Sequence, residues 1–138
     1  MKYLVDTNVI SEIRKSGRSN ASVSRWWNSV ETSSIYLSVF TIGELYRGIL
    51  KLKSKDPQQA KFLGNWLRGL CRLFEHRLLK LDLRGALIWA EIQQDRTLPH
   101  VDSLLAATAI RHDMILVTRN TRDVRDSGVR CLNPFEEA

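Results

Sequence analysis

Short apolar segments alternate with amphipathic helical segments along this chain, and that alternation is the feature that most constrains its fold. The strand candidates are residues 2–5, 35–39, 77–81, 114–117 and 129–132, and helical patterns separate the first four of them. The nearly continuous apolar run Met114–Val117 is typical of a strand buried on both faces, as in a parallel sheet covered by helices. The pattern predicts an α/β fold with a mainly parallel central sheet flanked by helices, and it leaves the strand order open.

Length and composition predict one globular domain over residues 1–138, since 43% of the residues are hydrophobic and 26% are charged. A chain of this length buries roughly two-thirds of its unfolded surface, so we expect any bound metal to serve chemistry rather than stability. No apolar run approaches the ~20 residues of a membrane span. Only Tyr3–Val5 is apolar before Asp6, which is too short for a secretory signal, and we therefore expect a cytoplasmic protein.

Helix-capping residues mark where several of the helices begin. Asp6, Asn20, Asp56 and Asp82 each precede an apolar helical pattern. A further helix is predicted to open at Thr41, where Thr41 and Glu44 match a capping box. Arg119 to Gly128 is predicted to be a polar loop.

Four carboxylates follow predicted strands or lie in the first turns of predicted helices: Asp6, Glu44, Asp102 and Asp123. Each has a purely structural explanation as a cap, a first-turn acid or a solvated side chain. In a parallel sheet, however, the carboxyl ends of the strands share one edge, so we expect these groups to converge. Converging carboxylates repel one another unless a cation neutralises them, and an all-oxygen donor set favours Mg²⁺ or Mn²⁺ over Zn²⁺.

The positive charge of the chain is concentrated in one stretch. The net charge is +6, and residues 45–84 contain ten basic side chains against three acidic ones. Such a surface attracts polyanions, of which nucleic acid is the commonest in cytoplasm. A solvated helical surface or an acidic partner protein would also explain the same charges. The basic residues are Arg47, Lys51, Lys53, Lys55, Lys61, Arg68, Arg72, Arg77, Lys80 and Arg84.

An acidic metal site beside a basic surface suits a phosphodiester substrate, because the surface attracts the backbone and the metal acts at the scissile phosphate. The sequence has no nucleophile elbow, Walker A loop or dinucleotide fingerprint. One alternative is a binding module that holds metal or RNA without cutting it. Another is an aspartyl-phosphate enzyme. Haloacid-dehalogenase-like enzymes have the pattern Asp-x-Asp after the first strand, whereas here Asp6 is followed by Asn8, which argues against this alternative.

Several segments resemble the ordered motifs of PIN-domain proteins, and the resemblance spans nearly the whole chain. In its length and in the residues of these motifs, the chain is most similar to the toxin branch of VapBC-type toxin–antitoxin pairs. The resemblance implies a PIN-like three-layer sandwich, Mg²⁺-dependent endoribonuclease activity, a homodimer and inhibition by a small antitoxin. The matching segments are Leu4–Ile10, Leu37–Leu45, Asp102–Ala109, Leu116–Asn120 and Asn133–Phe135.

Carried over residue by residue, the resemblance puts the metal-binding acids on Asp6 and Asp102, with Glu44 as the third acid. The sequence departs from many family members at Asn120, where an aspartate is frequent. Asp123, three residues later, is the candidate for the fourth catalytic and metal-binding acid. Polar matches at Thr7, Asn8 and Thr118 are expected to orient the carboxylates by hydrogen bonds.

Overall fold

The protein, described here by a computed structural model over residues 1–94 and 98–136, contains a five-stranded sheet in the order β3-β2-β1-β4-β5. Every neighbouring pair of these strands is parallel, which confirms the predicted sheet. The strands are β1 (Tyr3–Val5), β2 (Ile35–Ser38), β3 (Leu78–Leu79), β4 (Ile115–Val117) and β5 (Cys131–Leu132).

Helices fill the connections between the strands, and the predicted caps start several of them. The side chains of Asp6, Asn20, Asp56 and Asp82 each accept a hydrogen bond from a backbone N–H of the helix that follows. Within residues 1–94 and 98–136, no helix is both long and apolar enough to cross a membrane. The helices are α1 (Thr7–Arg14), α2 (Ala21–Ser29), α3 (Val39–Leu52), α4 (Pro57–Leu73), α5 (Leu83–Ile92), α6 (His100–Arg111) and α7 (Thr121–Val124).

Alternating side chains of the central strands point into separate cores on the two faces of the sheet. Leu4 and Leu116 pack with α6 and α7, through residues such as Leu105 and Val124. Their neighbours Val5 and Val117 pack on the other face, with the buried side chains of α1 and α2. Because successive strand residues face opposite sides, two apolar neighbours in each central strand require helices on both faces. The expected three-layer sandwich is therefore confirmed.

The direction in which strands are added to the sheet reverses between β1 and β4. β2 and β3 extend the sheet on one side of β1, whereas β4 and β5 extend it on the other. The connections therefore diverge at the carboxyl ends of β1 and β4, which leaves a crevice at that edge of the sheet. Asp6 is at this edge, and its backbone N–H donates to the carbonyl of Val117 at 2.9 Å.

The structure corrects the prediction in two places. α3 begins at Val39 rather than Thr41, because Ser38 is its cap and accepts from the N–H of Phe40. Thr41 is consequently buried inside the helix, and the predicted capping box with Glu44 does not form. Residues 119–128 contain α7 and a 3₁₀ turn rather than only a loop, since Val124 is buried and anchors the segment in the core.

Arg77 has a structural role that its place in the basic stretch does not indicate. Its guanidinium donates to the carbonyls of Thr32, Ile35 and Leu73 and lies 4.5 Å from the centre of the Phe74 ring. It thereby ties the end of α4 to the start of β2. The other nine basic side chains of residues 45–84 are exposed.

We predict that Arg77→Ala lowers the free energy of unfolding by about 1–2 kcal/mol, because backbone carbonyls lose a charged donor and Phe74 loses its stacked cation. Lys80→Ala, which removes an exposed basic side chain from the same stretch, should change it by less than about 0.5 kcal/mol. Urea unfolding followed by tryptophan fluorescence measures both. Equal effects of the two substitutions would show that Arg77 does not anchor this region.

Candidate active site at the carboxyl edge of the sheet

Asp6 is the most buried acid of the site, with 4% of its surface exposed directly after β1. One carboxylate oxygen accepts from the N–H of Thr7 at 2.6 Å, and the other accepts from the hydroxyl of Thr118 at 2.7 Å. Burial raises the pKa of Asp6; the hydrogen bonds from Thr118 and Thr7 oppose that rise, and the charge of Glu44 adds to it. Asp6 is thus both the helix cap and a constrained acid facing the crevice.

Glu44 reaches the same site from α3. Its carboxylate accepts from the hydroxyl of Thr7 at 2.5 Å, across 37 residues of sequence. Thr7 therefore joins two acids, because its backbone N–H binds Asp6 while its side chain binds Glu44. This contact replaces the predicted capping role of Glu44.

Asp102 lies in the first turn of α6, and its carboxyl group has the most strongly shifted pKa of the site. Burial raises the pKa of Asp102 to about 6, and the charges of Asp6, Asp123 and Glu44, in that order, contribute to the increase. A hydrogen bond from the side chain of Asn120 acts in the opposite direction on this pKa. The three other acids are therefore all close enough for their charges to act on Asp102.

Asp123 occupies a different setting from the other three acids. It lies in the short helix α7, and its side chain is exposed. Its charge acts on Asp102, but no hydrogen bond joins it to the other acids among residues 1–94 and 98–136. The structure thus places Asp123 at the solvent side of the site.

A polar network behind the acids fixes the loop that follows β4. Asn8 accepts from the N–H of Arg119 at 3.2 Å, and its amide is 3.4 Å from Asp6. The Thr118 hydroxyl that donates to Asp6 also accepts from the N–H of Asn120 at 3.0 Å. The hydrogen bonds expected of Thr7, Asn8 and Thr118 are therefore present.

The chemistry of the donor set fits a divalent cation, although no metal cage is preassembled. Carboxylate oxygens are hard ligands, and a cation among them would relieve the repulsion that contributes to the raised pKa of Asp102. In the part of the chain that the structure describes, no three acidic, histidine or cysteine side chains are already grouped to hold a metal.

The main element that sequence reasoning missed is the amide of Asn120. The sequence shows only that this residue cannot supply negative charge, whereas in the structure it donates to Asp102. The residues next to Asn120 in sequence do not predict this contact, because it joins the loop after β4 to the first turn of α6. Asn120 thus supports an acid instead of replacing one.

Comparison with known proteins places this geometry in a family. The PIN domain family model matches residues 3–126. The chain belongs to the PIN domain family. It is 30% identical to the toxin FitB of Neisseria gonorrhoeae, with 97% of this chain and 99% of that protein covered. It is 29% identical to the VapC ribonuclease Y4jK of Sinorhizobium fredii, with 98% and 99% covered.

Solved structures agree with the family assignment. The crystal structure of FitAcB from Neisseria gonorrhoeae has a TM-score of 0.88 and 30% identity, covering 98% of this chain and 99% of that one. The resemblance of the sequence motifs to PIN-domain proteins is therefore confirmed. The four acids and their polar network lie at the carboxyl edge of this PIN domain's sheet.

We predict that Asp102→Asn stabilises the metal-free PIN domain at pH 8. The folded protein holds the pKa of Asp102 at about 6, above the ordinary value of 3.8, so ionisation destabilises the fold as pH rises through this interval. The full shift corresponds to ~3 kcal/mol, which solvent screening reduces to ~1–2 kcal/mol. Thermal unfolding in EDTA at pH 8 and pH 4 measures the difference.

The exposed variant Glu31→Gln serves as the control and should not alter stability at either pH. At pH 4 the benefit of Asp102→Asn should nearly disappear, because the parent carboxyl is then protonated in the folded state. A stabilisation of the same size at both pH values would contradict an electrostatic origin.

Proposed function

We propose that this PIN domain is a Mg²⁺- or Mn²⁺-dependent endoribonuclease, the toxin of a type II toxin–antitoxin pair. The observation that carries the proposal is that Thr7 joins Asp6 to Glu44 at the carboxyl edge of the sheet. The charges of these two acids and of Asp123 also raise the pKa of Asp102. The ribonuclease and toxin names of the full-length relatives support the same assignment.

Asp6, Glu44 and Asp102 are the residues that would hold the metal, with Asp123 contributing from the solvent side. A bound divalent ion would supply Lewis-acid stabilisation of the phosphoryl oxygen and a more acidic water. Around it, the chain's own residues position the acids. Thr118 and Thr7 hold Asp6, Thr7 also holds Glu44, and Asn120 holds Asp102.

The exposed basic residues of α3 and α4 support an RNA substrate. Arg47 and Lys51 on α3, together with Lys61, Arg68 and Arg72 on α4, give the paired helices a positive surface. Such a surface attracts the phosphate backbone without reading its sequence, so it raises the encounter rate with any RNA.

The proposed partners are a cognate antitoxin and a second copy of the chain. The relative FitB of Neisseria gonorrhoeae is named as a toxin, which supports an antitoxin partner. Phe62 and Leu73 on α4 and Leu83 and Leu87 on α5 are large exposed apolar side chains that a second copy would cover. We place the pair in the cytoplasm, where its RNA substrate is made.

We predict that the purified protein cleaves RNA with Mg²⁺ or Mn²⁺ and that EDTA abolishes the cleavage. Asp6→Asn and Asp102→Asn should each lower the initial rate at least ~100-fold, because each removes a charge that would bind the metal. Gel-based cleavage of a labelled RNA measures the rates, and circular dichroism checks the fold. Glu31→Gln should retain the parental rate.

Cleavage that both acid variants retain would refute the proposed site. RNA binding by the unmodified protein without scission under any divalent ion would instead favour a non-catalytic binding module of the same fold. Asn120, which supplies no negative charge where many family members have an aspartate, is the feature that favours this second function.

We also predict that the fourth position belongs to Asp123 rather than Asn120. Asp123→Asn should weaken Mn²⁺ binding about tenfold, because it removes a charge that acts on Asp102. Asn120→Ala should weaken it less, since it removes a donor and no charge. Isothermal titration with Mn²⁺ separates the two, and a larger loss for Asn120→Ala would reverse the assignment.

A further inference from the structure

A cleft of about 210 Å³ lies beside the candidate active site. It lies between α1, α3 and α4, and Thr7 and Glu44 line it. A polymer cut at the carboxylates must continue past the neighbouring surface. This cleft is therefore one of the places where its next unit can lie.

One wall of the cleft is a polar face of α1. Thr7, Ser11 and Arg14 line it and are spaced four and three residues apart, so they share one side of the helix. Seven residues of helix put Arg14 roughly 10 Å along the axis from Thr7. A carboxylate therefore borders one part of the cleft and a guanidinium another.

The opposite walls of the cleft contain an aromatic ring and a glycine that has no side chain. Trp66 and Leu63 of α4 line the cleft and are half-buried. Gly48 of α3 lies among the lining residues, and a Cβ atom built on it would meet no neighbouring atom within 4 Å. The missing side chain at Gly48 thus keeps the cleft open.

Size and charge together favour a nucleotide over a larger ligand. The volume is below the roughly 300 Å³ at which sites for drug-sized molecules begin, so the cleft suits one ring system. Arg14 makes no ion pair with an acidic side chain in residues 1–94 and 98–136, and guanidinium groups bind phosphate well. Tryptophan rings stack on nucleobases irrespective of sequence.

We propose that this cleft binds the nucleotide next to the scissile phosphate, with its base on Trp66 and its phosphate at Arg14. The inference rests on the proposed function, because it takes RNA as the polymer at the carboxylates. It adds a contact that is independent of metal. The negative charge of Glu44 at the inner part of the cleft directs the phosphate toward Arg14.

The test measures the binding of a labelled single-stranded hexaribonucleotide by fluorescence polarisation in EDTA, where cleavage is excluded. Gly48→Leu fills the cleft and Arg14→Ala removes its cation, and each should weaken binding about tenfold. Gly69→Leu is the matched control, since Gly69 is an exposed glycine of α4 with equally open space and does not line the cleft. It should bind within twofold of the parent.

Thermal unfolding verifies that the variants fold, and the smaller substitution Gly48→Ala replaces Gly48→Leu if the latter does not. Parental affinity in a folded cleft-filling variant and in Arg14→Ala would overturn the inference while leaving the nuclease proposal intact. Failure of the unmodified protein to bind the hexanucleotide would also overturn it.

Two further outcomes separate this inference from the proposed function. Cleft-dependent binding by a protein that cuts no RNA with Mg²⁺ or Mn²⁺ would uphold the cleft and refute the nuclease. If the folded variants keep their RNA affinity but lose a stable complex with a co-expressed antitoxin, the cleft belongs to the protein partner and the inference is wrong.

Discussion

Electrostatic repulsion among carboxylates at one edge of the sheet is the constraint on which the site depends. Asp6 is held almost fully buried, and its charge, with those of Asp123 and Glu44, adds to the effect of burial on the pKa of Asp102. A fold selected only for stability would replace such a group by a neutral one. The divalent cation proposed for this site would relieve the repulsion among these charges.

Hydrogen bonds from three hydroxyl and amide side chains allow the acids to remain in place despite this repulsion. Thr7 and Thr118 donate to Asp6 or Glu44, and Asn120 donates to Asp102. These donors come from α1 and from the loop after β4, elements that meet because β1 and β4 are neighbours. The position of each acid is thus fixed by the strand order of the PIN fold, and the cleft beside Glu44 is formed by the same packing.

Much of the fold could be predicted because its signals are local. The caps Asp6, Asn20, Asp56 and Asp82 act on the next few residues, so the sequence shows them directly. The start of α3 was predicted wrongly because Thr41 and Ser38 both suit a cap, and burial of Thr41 decided between them. The segment 119–128 was predicted as a loop because its single anchor, Val124, is too weak a pattern to indicate a helix.

The amino-acid pattern is enough to predict the α/β class, the parallel sheet and the four candidate acids Asp6, Glu44, Asp102 and Asp123. The strand order, the bond from Thr7 to Glu44, the donation from Asn120 to Asp102 and the exposure of Asp123 become visible only in the folded chain. The two sets differ because apolar periodicity and helix caps act between near neighbours in sequence. Hydrogen bonds and charge interactions between distant segments exist only after packing has brought those segments together.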